Sequence, residues 1–298
     1  MTAAPAKGVH LAQVNVGRLR HPIDHPATTD FVDGLAPVNA LADASPGFVW
    51  RLHRGPDAEV HDHLRVRTSV EALHDFVYRS AHTPFLRRRA EWFDRMTAPS
   101  VALWWVPAGH QPDVAEARLR LEFLEAHGAS PYAFGLRSPE PPLVIERSSL
   151  DDPVASQLIA ELDADLIATT APGSNFFSLD ASEVADGRGA FVVARLDGEP
   201  VGCGALRVLE AGEWPERTAE LKRMYVRPTG RGRRIGSALL TELTALARSL
   251  GVRRLVLETA DQQVAALSMY RSQGFEPCPC WGEYAGAPLS RCFSRPLG

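Results

Sequence analysis

Apolar and polar positions along the chain fall into two successive patterns, each long enough for a domain. In the first, residues 9–16 alternate with the period of a strand. Residues 28–42 bring Phe31, Val32 and Leu35 to one side of a helix that Gly34 and Pro37 interrupt. Residues 48–52 and 59–66 read as paired strands. Thr68 with Glu71 forms a capping box for a helix whose apolar side is Leu73, Phe76 and Val77. Thr83-Pro84 opens another helix, residues 101–106 are a strongly apolar strand, and residues 113–127 form a helix stopped by Gly128. The order β-α-β-β-α-β with one more helix predicts an α+β, ferredoxin-like sheet over residues 1–137.

Three prolines within residues 138–142 make a stiff connector, which places the second domain at 143–298. There the pattern predicts a strand from Leu143 and a helix over 153–167, then a mixed stretch over 171–186 suited to shaping a pocket. Asp197-Gly198 between two apolar runs marks a hairpin. Residues 220–226 favour a strand, and Ile235, Leu239, Leu243, Leu246 and Leu250 recur at helical spacing. Residues 255–259 give a strand parallel to the one at Glu220, because a helix crosses between them. A short helix over 263–273 closes on Gly274-Phe275.

The turn between Pro228 and Ser237 carries the chemistry. A glycine-rich turn that opens a helix aims free backbone N–H groups and the positive end of the helix dipole at one place. That is an anion site, and Arg231, Arg233 and Arg234 add charge suited to phosphates. The run Arg231-Gly232-Arg233-Arg234-Ile235-Gly236 resembles the acetyl-CoA signature of the GNAT N-acetyltransferase superfamily, with Arg234 where the pattern usually has its first glycine. The run Ala265 to Phe275, with Tyr270 four residues before Gly274, resembles the closing motif of the same superfamily.

The resemblance implies an acetyl-CoA-dependent N-acetyltransferase with a mixed α/β sheet. Met224, Tyr225 and Val226 would bind the cofactor arm, and Arg231, Gly232, Arg233, Arg234, Ile235, Gly236 and Ser237 the pyrophosphate, with Gln263 near the arm. Glu220 stands where relatives often carry the general base, and Tyr270 where they carry the general acid. A strand-end carboxylate paired with Arg223 or Lys222, and a tyrosine packed in the core, are the bland alternatives. Residues 173–179 and 280–284 would wall the acceptor side through Asn175, Phe177, Trp281 and Tyr284, an aromatic lining suited to a small amine. The alternative is a catalytically silent CoA-binding or regulatory module, with any chemistry in the first domain.

In the first domain, residues 78–93 and 103–110 resemble a bacterial domain family of unknown function, related in shape to dimeric α/β barrels that include antibiotic-biosynthesis monooxygenases. That implies a homodimer through this domain and lends it no reaction; a dimerising or substrate-sensing role is expected. His53, His61, His63, His74, His82 and His110 lack a completing carboxylate or cysteine cluster, so no metal is expected.

Composition narrows the partners. A net charge of −4 over 298 residues supplies no field for nucleic acid or an anionic membrane. No apolar run approaches the ~20 residues of a membrane span, and the N-terminus lacks a signal-peptide core. Cys203, Cys278, Cys280 and Cys292 are too few for a disulfide framework in so long a chain. Reduced thiols in the cytoplasm are the expectation.

Overall fold

The computed structural model describes residues 8–52, 63–79, 83–169, 179–210, 212 and 214–298. The chain divides into two compact units, one ending at Val144 and the other beginning at Ile145. Of the expected strand over 59–66, the described part begins at His63.

In the first unit the elements are β1 (Val9–Asn15), α1 (Thr29–Asp43), β2 (Phe48–Arg51), β3 (His63–Arg67), α2 (Val70–Arg79), α3 (Thr83–Trp92), β4 (Val101–Pro107) and α4 (Val114–His127). The four strands form one sheet in the order β2-β3-β1-β4, with antiparallel pairing throughout. On one face Ala12, Val14, Leu64, Val66, Ala102, Trp104 and Val106 pack against Ala117, Leu121 and Leu124 of α4. Trp104 Nε1 donates to Glu116 Oε1 at 2.7 Å, which fixes α4 on that face without leaving the buried indole N–H unmatched. The other face buries Leu11, Leu73, Leu103, Trp105 and Phe134.

Two side chains on that second face break its apolar pattern. Arg65 and Arg67 are buried, the guanidinium of Arg67 lies 4.3 Å from the centre of the Phe76 ring, and burial holds both pKa values down to about 10. The helix cap also differs from expectation. Ser69, not Thr68, accepts from the Ala72 amide at 3.2 Å. The Thr68 amide is spent on Gly47 O, which ties the entry of β2 to the end of β3. Of the histidines, His74 packs at a tilt against Tyr78 and His110 pairs with Glu116 at 2.7 Å, while His53, His61 and His82 lie outside the described residues.

The second unit comprises β5 (Leu143–Ser148), α5 (Pro153–Thr169), β6 (Gly189–Leu196), β7 (Glu199–Val208), β8 (Thr218–Val226), α6 (Ile235–Ser249), β9 (Arg254–Ala260), α7 (Val264–Ser272), β10 (Glu276–Pro277) and β11 (Ser290–Pro296). Its seven strands run in the order β10-β11-β9-β8-β7-β6-β5. Asp197 and Gly198 both sit at positive φ, 52° and 85°, the geometry that lets a two-residue turn follow the strand twist between β6 and β7. Ala155, Leu158 and Leu162 of α5 pack against Phe191, Val193, Cys203, Ala205 and Tyr225. Helix α6 buries Ile235, Leu239, Leu240 and Leu243.

One expectation about the cysteines is overturned. Cys280 and Cys292 are joined by a disulfide, with 5.2 Å between their Cα atoms. The two are twelve residues apart in sequence, and antiparallel return of the chain through β11 brings them together. Cys203 and Cys278 are free thiols.

Candidate active site

The site begins where two strands part. β8 pairs in parallel with β9 from Thr218↔Arg254 to Leu221↔Leu257, and the pairing ends there. One residue farther, the register between β7 and β8 shifts, and Arg223 takes a left-handed φ of 56°. An extra residue in one strand bends it and increases its twist, so β8 follows β7 away from β9. The resulting gap is a cavity of about 730 Å³, within the range of small-molecule and cofactor sites. Met224, Tyr225 and Val226 line one side; Glu258, Thr259, Ala260 and residues of α7 line the other.

At one end of the gap lies the start of α6. Its first backbone bond runs from the Ala238 amide to Arg234 O, so the amides of Ile235, Gly236 and Ser237 precede the helical ladder. No side chain caps this terminus. Arg234 sits at the N-cap in the left-handed region, φ 61° and ψ 19°, so an arginine adopts here the conformation that a glycine usually supplies. A Cβ on Gly236 would come within 3.0 Å of Met269 Sδ and 3.8 Å of Val226 Cγ2, so a side chain there would fill the gap itself. The guanidinium of Arg231 folds back, Nε donating to Val226 O at 3.0 Å and Nη2 to Asp165 at 3.2 Å.

At the other end are Glu220, Lys222, Glu258, Tyr270 and Tyr284, groups with protons to hold or take. Glu220 is 1% exposed and faces Arg207, its direct cross-strand partner on β7. Arg207 donates to Glu220 Oε2 at 2.6 Å, and the Tyr284 hydroxyl donates to Glu220 Oε1 at 2.6 Å. Lys222 Nζ donates to Tyr284 Oη at 2.9 Å and to Glu283 Oε1 at 3.3 Å. Both oxygens of Glu220 are therefore engaged. Glu258 is only half-buried and opens into the same gap. Burial raises its pKa, the Ser290 hydroxyl opposes that rise, and the negative charge of Glu220 adds to it. The Tyr270 phenol is pushed up by burial and by Glu258, so it stays protonated throughout the physiological range.

Most of the sequence-derived residues meet here. Glu220, Tyr270, Met224, Tyr225, Val226, Arg231, Gly232, Arg234, Ile235, Gly236, Ser237, Gln263 and Tyr284 all line the cavity. Arg233 is exposed and does not. Trp281 is not in the lining either; its ring stacks edge-on with Trp214 at 5.6 Å and Tyr284 at 5.3 Å. Asn175 and Phe177 lie outside the described residues. Glu220 pairs with Arg207 rather than with Arg223, whose guanidinium goes to Asp163 at 2.6 Å. Lys222, the other partner considered for Glu220, does lie 4.0 Å from its Oε1, whereas Glu258 was missed. The signal for Glu258 was present, since a carboxylate inside the apolar run Leu255-Val256-Leu257 calls for a reason.

Comparison with known proteins agrees with this geometry. Residues 151–275 match the model of the acetyltransferase (GNAT) family, and residues 10–149 match a domain of unknown function, DUF3291. An IAA acetyltransferase of Azospirillum brasilense is 38% identical over 154 residues, spanning 52% of this chain and 97% of that protein. An aminoglycoside N(6')-acetyltransferase type 1 of Stenotrophomonas maltophilia is 33% identical over 97 residues, 31% of this chain and 63% of that protein. A solved structure from Klebsiella pneumoniae, assigned as an acyl-CoA N-acyltransferase, aligns at 32% identity with a TM-score of 0.45 over 52% of this chain and 98% of that one. The parted strands, the open helix terminus and the full-length match to an acetyltransferase together place the second unit of this chain in the GNAT acetyltransferase family, as an N-acyltransferase.

Proposed function

We propose that the second unit transfers an acetyl group from acetyl-CoA to the primary amine of a small molecule. The observation that carries this reading is the 730 Å³ gap, with open amides at one end and Glu258 and Tyr270 at the other. The residues fit the cofactor's chemistry. A diphosphate suits the amides of Ile235, Gly236 and Ser237. An extended amide-bearing arm suits the backbone of Met224, Tyr225 and Val226, where β8 has lost its partner.

Acetyl-CoA, when bound, supplies an acyl group activated as a thioester. The protein's tasks are then proton transfers and positioning. Glu258 is the general base in this reading, because among the described lining residues it is the carboxylate that no arginine claims, and burial raises its pKa and so makes it a stronger base than an exposed carboxylate. Glu220 has the opposite character: a buried carboxylate whose oxygens are taken by Arg207 and Tyr284 serves to position the Tyr284 hydroxyl at the acceptor end. Tyr270 keeps its proton available for the departing thiolate.

The aromatic ring of Tyr284 in the lining of the reacting end supports a compact acceptor. In the first unit, the strand order β2-β3-β1-β4 supports a ferredoxin-like assignment. Calorimetric titration of acetyl-CoA tests the cofactor part: saturable binding is expected, weakened ten-fold or more by Gly236→Asp. An unchanged dissociation constant in a folded Gly236→Asp variant would remove the assignment of the gap.

A further inference from the structure

The segment between β10 and β11 is tied down in an unusual way. Within it, Trp281, Gly282, Glu283 and Tyr284 form a short turn in which the Tyr284 amide donates to Trp281 O at 2.9 Å. This turn delivers Tyr284 to Glu220 and Glu283 to Lys222. Immediately before it stands Cys280, covalently joined to Cys292 of β11. In the sheet, Cys292 is the direct partner of Glu258. The disulfide thus bridges the strand beside Glu258 to the strap that covers Glu220. Cys278 N also donates to Cys292 O at 3.0 Å, which leaves the crosslink as the last tie before the strap leaves the sheet.

We propose that Cys280–Cys292 is a thiol–disulfide exchange site, opened by a dithiol reductant, that sets whether the acceptor wall of the active site is held in place. The inference rests on the acceptor end being where the preceding reading puts it. Three observations support it. Cys280 is only partly buried, whereas Cys292 is 4% exposed, so an incoming thiolate reaches the Cys280 sulfur first. The crosslink encloses the strap in a short loop, and opening it returns conformational freedom to the residues between. The wall is placed over the site by polar contacts of Tyr284 and Glu283 together with the Trp281 ring contacts, all carried by the enclosed loop.

The exchange balances as follows. One thiolate of the reductant attacks Cys280 Sγ, forming a mixed disulfide and breaking the bond to Cys292, which leaves as thiolate and takes a proton. The second thiol of the reductant attacks its own sulfur in the mixed disulfide, releasing Cys280 as thiolate. The protein disulfide is reduced by two electrons, and the dithiol is oxidised to a cyclic disulfide. Burial raises the pKa of Cys278, so this neighbouring thiol is a weak competitor near neutral pH.

The test compares the full-length protein before and after dithiothreitol, by alkylation with peptide mass spectrometry, by hydrogen exchange and by acetyl-CoA titration. Without reductant, Cys280 and Cys292 should resist alkylation; after it, both should be labelled. Exchange across residues 279–289 should then quicken at least ten-fold, while the acetyl-CoA Kd moves less than two-fold. Cys280→Ser should show the fast exchange without reductant and no response to it. Free thiols at both positions before reduction would overturn the proposal, as would a strap whose exchange is unchanged by reduction. A Kd that weakens ten-fold on reduction alone would also contradict it, by moving the effect to the other end of the gap. Absence of acetyl-CoA binding in both redox forms contradicts the acetyltransferase reading instead, and leaves the strap result standing.

Discussion

Two carboxylates on neighbouring strands, Glu220 and Glu258, sit in different surroundings: Arg207 and Tyr284 hold the first, while the second opens into the gap. Glu220 was legible as important because it precedes the anion loop on the strand that bears it. Its partner was not legible: Arg207 lies thirteen residues upstream, and only the antiparallel register of β7 and β8 sets the two side by side. If Glu258 is the base, Glu258→Gln lowers kcat by about 100-fold to 10,000-fold. The acid limb of kcat/KM then also disappears. Because burial raises its pKa, wild-type activity should rise with pH through a midpoint above the ordinary carboxylate range, as the base loses its proton. A limb retained in Glu258→Gln would assign the proton to another group. Arg207 makes a different prediction, for stability. Arg207→Ala strands a buried carboxylate and should cost about 3–5 kcal/mol in denaturant unfolding, most of it recovered when Glu220→Leu is added. A loss below 1 kcal/mol would mean that Glu220 is not charged in the fold.

At the scale of elements, period and punctuation located the strands and helices well. Gly128 at φ 73° and Asp113 bonded to the Glu116 amide end and start α4 where the pattern predicted. Finer choices between adjacent residues were not legible. Thr68 and Ser69 are both competent caps, and the demand of Gly47 O for the Thr68 amide decides between them. The disulfide escaped for a related reason: spacing along the chain carries no information about which strand returns beside which. The α6 turn tests the local argument directly. Arg234 occupies left-handed space that costs an L-residue roughly 1–2 kcal/mol, so Arg234→Gly should raise the unfolding free energy by about 1 kcal/mol. A lower stability would show that the arginine side chain, rather than the backbone geometry, holds the turn.

On the scale of the whole molecule, the two units differ in how much they disclose. The second wears its family on motifs, because a glycine-bearing turn that opens a helix with free backbone amides requires particular residues at particular spacings. The first buries its distinguishing features, among them Arg65 and Arg67 under Phe76, in positions where no local pattern announces them. The homodimer expected from the resemblance of the first unit is a separate proposal: light scattering on the full chain should give about twice the 32.5 kDa of one chain, and a mass near 32.5 kDa would contradict it. Among the described residues no helix is long and apolar enough to cross a membrane.

The central claim is that the parted strands hold acetyl-CoA beside a base and a proton donor, for transfer to a small amine. Amine-dependent release of the CoA thiol, measured over amino acids, aminoglycosides, polyamines and a histone-like peptide, tests it most directly. The account predicts release that depends on at least one small amine and exceeds the rate with the peptide. Saturable acetyl-CoA binding with no amine-dependent release, or a peptide preferred over every small amine, would contradict it.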